Sequence, residues 1–405
     1  MERGHALGVD HQGQGRGRRR RAGALALAMG PRRAKGGLAA AAVLAGAACG
    51  ASSGSPGASP SPSAVRSVEV RPSPTPARGS SPVLDLVATY GDPPSAVVRI
   101  AGGALALERS TLREGPVFAG PFRPGTRTFL AVARAADGTF DLDLVDVDAP
   151  AEPRRLASGL RGVRWPVFSP DGRWLVFGGF DGTQPAIVRL RVDEGGGRPA
   201  VLASSPEGAF DPSISFDGTR VVYAASSLAG LRMVSVPLEG GAAREIPLGA
   251  VRFRGTPRCS PVEDVVAFVG DQAPGRHRVF LARAVEGGAF DVAPLSPGPG
   301  TRGRLDHLSF SPDGRLLAYV VAEAPAARVE IVRVADGEIV LRTAAGVSAQ
   351  HPSFSPNADL IAVTVADDGA PALEILGVAD GQRRAREPGA WLARFVPPSR
   401  PVSSK

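Results

Sequence analysis

The sequence predicts an all-β fold, a single seven-bladed β-propeller over residues 83–397. Three observations lead there. A turn containing Pro or Gly recurs seven times, short β-branched and aromatic runs follow each turn, and the last turn lacks runs that the start of the domain can supply. With 51 Gly and 38 Pro among 405 residues, long helices have little room, while a 43% apolar content suffices for a large core.

The turn is clearest at Phe168-Ser169-Pro170-Asp171-Gly172 and Phe310-Ser311-Pro312-Asp313-Gly314. It recurs as Ile214-Ser215-Phe216-Asp217-Gly218, Cys259-Ser260-Pro261 and Phe354-Ser355-Pro356-Asn357, with degenerate copies at Phe122-Arg123-Pro124-Gly125 and Phe395-Val396-Pro397. Anchored on the third position, the copies fall at 124, 170, 216, 261, 312, 356 and 397. A period in the forties marks a propeller blade or a helical array, and the residues between the anchors decide. After the turns come Leu175-Val176-Phe177, Val221-Val222-Tyr223, Val265 to Phe268, Leu316 to Tyr319 and Leu360 to Val363. A second run with period two follows, as in Val329-Glu330-Ile331-Val332-Arg333-Val334, which is the pattern of strands. Within the turn, Pro presets φ, Asp bonds back to the backbone and Gly accepts positive φ, so the motif is structural.

The seventh turn, near the C-terminus, leaves space for one strand. Val83 to Tyr90, Ala96 to Ile100 and Ala104 to Leu107 repeat the spacing of a blade's other three strands, so one C-terminal and three N-terminal strands should complete the last blade. Such closure removes the open edges that make unclosed sheets sticky. The run Phe310-Ser311-Pro312-Asp313-Gly314 with Leu317-Ala318-Tyr319 after it resembles the PD40, or WD40-like, repeat of the TolB-type β-propellers. That resemblance covers residues 83 to 397 and is specific for fold, weak for function. It implies protein partners in the cell envelope. Two departures stand out: an N-terminal α/β domain has no counterpart between Cys49 and Pro82, and seven anchors replace TolB's six blades.

Ahead of the propeller, residues 1–48 read as an export signal. They hold nine Arg or Lys and two acids, a local +7 of the chain's +8, so the rest is near neutral and lacks the basic face that nucleic-acid binding requires. Arg32, Arg33 and Lys35 precede the apolar run Gly37 to Ala48, too short for a permanent span, and Met29 gives a start of ordinary signal length. The end, Leu44 to Gly50, resembles a bacterial lipobox with Cys49 as the lipidated residue, although Gly46 stands where Leu is usual. Residues 49–82 are Ser-, Pro-, Gly- and Ala-rich, a linker with too little apolar surface to fold, and 398–405 form a tail. Cys259 is then a lone cysteine with no disulfide partner, expected in the core.

Propellers bind along the central channel and at its mouths. Three residues before each Phe-equivalent stand Ala119, Trp165, Asp211, Thr256, His307, His351 and Leu392; one earlier stand Phe118, Arg164, Phe210, Gly255, Asp306, Gln350 and Trp391. The expected channel-mouth binding residues are Arg164, Trp165, Asp211, Thr256, Asp306, His307, Gln350 and His351, with Arg258 and Arg394 near for anionic groups. His307 and His351 occupy equivalent places on adjacent blades, but no dense His/Cys spacing supports a metal site, so neither metal nor cofactor is expected. Gly50-Ala51-Ser52-Ser53-Gly54 matches a nucleophile elbow without strand or helix around it, and the Gly298 to Gly303 pattern contains a Pro and precedes a strand, so neither carries chemistry. Trp165, Trp174 and Trp391 are expected in blade packing, and His277 at a strand edge.

The expected function is that of a monomeric, non-catalytic binding scaffold, exported and held to the membrane by its N-terminal lipid, with an envelope protein or small ligand as partner. The alternative is a metal-assisted propeller lyase or hydrolase acting on an acidic saccharide through His307, His351 and an Asp.

Overall fold

The computed structural model describes residues 84–398, apart from 92, 104–105, 194–196, 286–288, 296–299, 345–346 and 368–369. The export signal, Cys49, the linker, the Gly50 to Gly54 pattern and most of the tail lie outside the described residues. Within them, 28 strands and no helix form seven four-stranded antiparallel sheets. The innermost strands are Val117–Phe122, Arg164–Phe168, Ala209–Ile214, Arg252–Cys259, Arg304–Phe310, Ser348–Phe354 and Ala390–Phe395, which define blades 1 to 7. Each touches the next and the last touches the first, so the seven sheets stand in a ring around a centre.

Why the second strand of each blade reads as a continuous apolar run follows from its surroundings. In blade 5, Leu317, Tyr319 and Val321 pack against Val265, Ala267 and Val269 of blade 4. The alternate residues Ala318 and Val320 pack against Ile361, Val363 and Val365 of blade 6. Both faces are buried, so both phases of the period-two pattern are apolar, and each fully buried Leu, Val or Phe contributes roughly 1.5–3 kcal/mol.

Blade 7 closes as expected. Ala390–Phe395 pairs with Leu84–Tyr90 in the register Leu86 to Phe395, Val87 to Arg394, Thr89 to Trp391 and Tyr90 to Ala390. Ala96–Gly103 follows outward. The outermost strand is Ala106–Glu114 rather than 104–107. It lies at the rim, where Glu108, Arg109 and Ser110 face solvent and Leu112 is a buried residue, so an apolar run does not mark it.

In blades 2, 3 and 5 the turns between first and second strands repeat atom for atom. Ser169 Oγ donates to Asp171 Oδ1 at 2.5 Å and accepts from Trp174 N at 2.9 Å, while Gly172, at φ 69°, donates its amide to the Ser169 carbonyl at 2.8 Å. Ser215 with Asp217 and Ser311 with Asp313 do the same. Of the other pattern set aside above, Gly298 and Pro299 lie outside the described residues; Thr301 bridges His277, and the strand Arg304–Phe310 follows.

Candidate binding site at the centre of the ring

At Trp165, Asp211, Thr256, His307, His351 and Leu392 the backbone is left-handed, with φ between 48° and 58°. Each lies within an irregularity of pairing between the innermost strand and the strand outside it. Such a bulge kinks the strand and re-aims a side chain, and a non-glycine residue with positive φ is strained by about 1–3 kcal/mol. Six blades therefore hold one side chain at the same structural position. Blade 1 departs from the pattern: Ala119 has no left-handed backbone and is followed by Gly120, where a Cβ would stand 2.7 Å from the Leu130 carbonyl oxygen.

Charges from distant blades meet here. Asp211 of blade 3, only 4% exposed, accepts from Arg258 Nη1 of blade 4 at 2.7 Å. Arg394 of blade 7 donates to the Ala393 carbonyl at 3.0 Å and has no ion pair among the described residues. Loss of hydration first, and then the like charge of Arg258, pull Arg394 down to about 10. Arg258 and Arg394 occupy equivalent positions on blades 4 and 7, two residues past the bulged one, and each donates Nη1 to the carbonyl of the residue before it.

His307 and His351 approach edge to face, with ring centroids 4.6 Å apart at 82°. Burial, followed by His307 and Arg394, pushes His351 down to about 3. His307 is lowered too, chiefly by burial, with Asp306 opposing and Arg258 and Arg304 adding. Both imidazoles are neutral at pH 7. Their Nδ1 atoms and Thr256 Oγ1 are buried without a hydrogen-bond partner, on three successive blades. Asp306 accepts the His307 amide at 2.9 Å and pairs with Arg304 Nη2 at 2.7 Å.

Aromatic rings surround part of this cluster. Trp391 donates Nε1 to the Gly91 carbonyl at 2.9 Å and meets Phe118 edge-on at 6.0 Å and His351 at 6.2 Å. Trp174 packs beneath Arg189 and Arg191, at 4.6 and 5.3 Å, against the core between blades 2 and 3. Trp165 corrects the expectation of packing: it is 43% exposed, with Phe210 at 6.3 Å and Arg164 over its ring at 6.0 Å. Gln350 is half-buried and pairs its backbone with Thr364. His277 begins a third strand, away from the centre. Cys259 joins the core cluster of blades 3 and 4, where burial pushes its thiol up to about 12, a structural cysteine.

Sequence reasoning missed Arg304 and three hydroxyls that stitch neighbouring blades together. Thr89, Ser213 and Thr364 accept the amides of Ala119, Cys259 and Leu392 at 3.0, 2.9 and 3.2 Å. For Thr89 and Thr364 the available signal was a lone hydroxyl in an apolar run. A metal centre does not fit these residues. The imidazoles meet edge to face, Asp211 and Asp306 are each engaged by an arginine, and no set of three His, Cys, Asp or Glu among the described residues converges.

No family model and no curated protein matches the sequence. Among solved structures, TolB from Acinetobacter baumannii is 18% identical with a TM-score of 0.51, over 78% of this chain and 82% of that one. An oligogalacturonate lyase in complex with manganese is 17% identical with a TM-score of 0.51, over 75% and 84% of the two chains. Oligogalacturonate lyase from Vibrio parahaemolyticus is 14% identical with a TM-score of 0.51, over 76% and 86%. At such identities the likeness is one of fold, and with the ring described above it makes this chain a seven-bladed β-propeller.

Proposed function

We propose that this chain is an exported β-propeller, tethered to a membrane through lipidated Cys49, that binds an envelope protein or small ligand at the centre of its ring without catalysing a reaction. The observation that carries this reading is the set of bulged positions. Six strands accept left-handed strain to present a side chain, and three of those side chains leave a buried polar atom without a partner. Buried polar groups left unmatched are costly, and a ligand that bonds to them recovers that cost. Proton transfer near neutral pH needs a group that titrates there, whereas burial pushes both His351 and His307 down from the ordinary histidine value.

Capture from crosslinked cells tests the reading, with a His307→Ala/His351→Ala double variant as the control. The expected result is a partner or ligand enriched on the parent protein and depleted on the variant; equal recovery on both would count against a central site. A Cys49→Ser variant should leave the membrane fraction, and one that still pellets with membranes would sink the tether. The second reading is a metal-assisted lyase on an acidic saccharide, the activity by which two proteins of like fold are named. Unsaturated products from a galacturonate oligomer, formed with added manganese and lost in the double variant, would replace the binding reading with that one.

A further inference from the structure

We propose that the centre of the ring is a receptor for a single carboxylate, gripped by the guanidinium of Arg394 with Arg258 facing it. The proposal rests on the reading of the ring as a binding module and names what that module takes. Arg394 makes one hydrogen bond among the described residues, to the neighbouring Ala393 carbonyl, so most of its N–H donors are uncommitted. Arg258 already has Asp211 at 2.7 Å and the Pro257 carbonyl at 2.8 Å. Arg304 is likewise matched by Asp306.

The charge count selects the ligand. Arg258 is offset by Asp211, Arg304 by Asp306, and the two imidazoles are neutral, so beside the histidines Arg394 is the one uncompensated cation; Arg164, on blade 2, is exposed and lies over Trp165. A planar monoanion with two acceptor oxygens matches both its charge and the fork of its donors. A phosphate dianion would leave one charge unmatched in a desolvated place. Next to this cation stand His351, which feels its charge, and His307, both with an unpartnered Nδ1. A neutral imidazole nitrogen gives or takes one hydrogen bond, so the carboxylate should carry a hydroxyl or an amide beside it. A free hydroxy acid and the C-terminus of a peptide share that chemistry.

The test uses the full chain, lactate and N-acetylalanine as the two sources, and lactamide and N-acetylalaninamide as their uncharged twins. Arg394 is labelled with phenylglyoxal and the adduct is read by mass spectrometry. At about ten times its Kd, an acid should slow the labelling about tenfold and raise the unfolding midpoint. Protection by lactate alone assigns a small acid, and protection by N-acetylalanine alone assigns a peptide terminus. Arg394→Gln should abolish the shift in midpoint, and Arg394→Lys should weaken it, because a point charge lacks the planar fork. If Arg394→Gln does not fold, the labelling of the parent protein still decides. Equal effects from acids and amides, or stronger protection by inorganic phosphate, would overturn the proposal. A partner captured equally by parent and Arg394 variant would overturn the carboxylate while leaving the binding module in place; absence of both protection and capture would bring down both.

Discussion

The blades place left-handed residues in two regions, the hairpin after the innermost strand in blades 1, 2, 3, 5 and 6, and the bulge within that strand in blades 2 to 7. In the hairpins the conformation falls on Gly172, Gly218 and Gly314, at φ 69–71°. There Ser and Asp satisfy the backbone and each turn repeats the last. In the bulges it falls on Trp165, Asp211, Thr256, His307, His351 and Leu392, all with side chains and none alike except the two histidines. A left-handed backbone costs an L-residue about 1–2 kcal/mol, which glycine avoids. Glycine therefore marks the region where only the backbone path matters. Side-chain-bearing residues in the same conformation mark the region where identity matters, which is the physical case for a site at the centre.

The largest test of that difference removes a charge from the centre. Asp211→Asn leaves Arg258 without its carboxylate while Arg394 faces it, and stranding one partner of a buried pair costs up to about 3 kcal/mol. Denaturant unfolding should show that loss, and the double change Asp211→Asn/Arg258→Met should recover part of it. In a hairpin, Asp171→Asn should stay within about 0.5–1 kcal/mol, since that carboxylate is exposed and makes local bonds. Equal losses in both regions would dissolve the contrast between centre and turn.

How much of this was legible before folding follows the same division. Everything that repeats along the chain could be read: the hairpins, the seven blades, the closure of Ala390–Phe395 on Leu84–Tyr90, and the bulged position in six blades. Counting three residues back from a Phe-equivalent finds Trp165 or His307 because the bulge is part of the repeat. What depends on one blade meeting another was hidden. The pairing of Asp211 with Arg258 joins residues 47 apart in sequence, and nothing in the chain says which neighbour a long guanidinium will reach. Arg304 was overlooked because it lies outside the two counted positions, although it neutralises Asp306. Blade 1 broke the count because Gly120 packs against the Leu130 backbone in place of a bulged side chain. Trp165 was misjudged because an aromatic at a strand start looks the same whether the next blade covers it or not.

Acid should separate the two regions by pH window. His351 is pushed from 6.5 to about 3 in the fold, chiefly by burial, so the unfolded chain takes up its proton first. Its contribution is complete above about 6.5 and is lost progressively as pH falls toward the folded value. In the hairpins, burial opposes ionisation of Asp171, Asp217 and Asp313, but the Ser hydroxyls and following amides outweigh it and lower all three. Their contribution is present above the unfolded value of about 3.9 and is lost only below it. Between about pH 6.5 and 4.5 the fall in unfolding midpoint should come from the centre, and His351→Gln should flatten it. A slope unchanged in that variant would show that the histidine is not held neutral by the fold.

The smallest expected effect tests the comparison at a hairpin that keeps the left-handed residue and lacks the glycine. In blade 6 the turn is Ser355-Pro356-Asn357-Ala358, and Ala358 holds φ 61° where the turns of blades 2, 3 and 5 have glycine. Its amide still reaches the Ser355 carbonyl at 2.9 Å, and Leu360 N still reaches Ser355 Oγ at 3.0 Å, so the conformation is imposed by the turn and not chosen by the residue. Ala358→Gly removes a left-handed penalty of about 1–2 kcal/mol and adds unfolded-chain freedom of about 0.4–1 kcal/mol, for a net gain near 0.5 kcal/mol. The reverse change, Gly314→Ala, meets φ 70° and a Cβ only 2.5 Å from Val262 Cγ2, so it should cost more than Ala358→Gly gains. Thermal midpoints of the two variants measure both signs. If Ala358→Gly gave no gain, the left-handed penalty would be too small in this fold to distinguish turns from centre, and the six bulged side chains would lose their claim to a purpose.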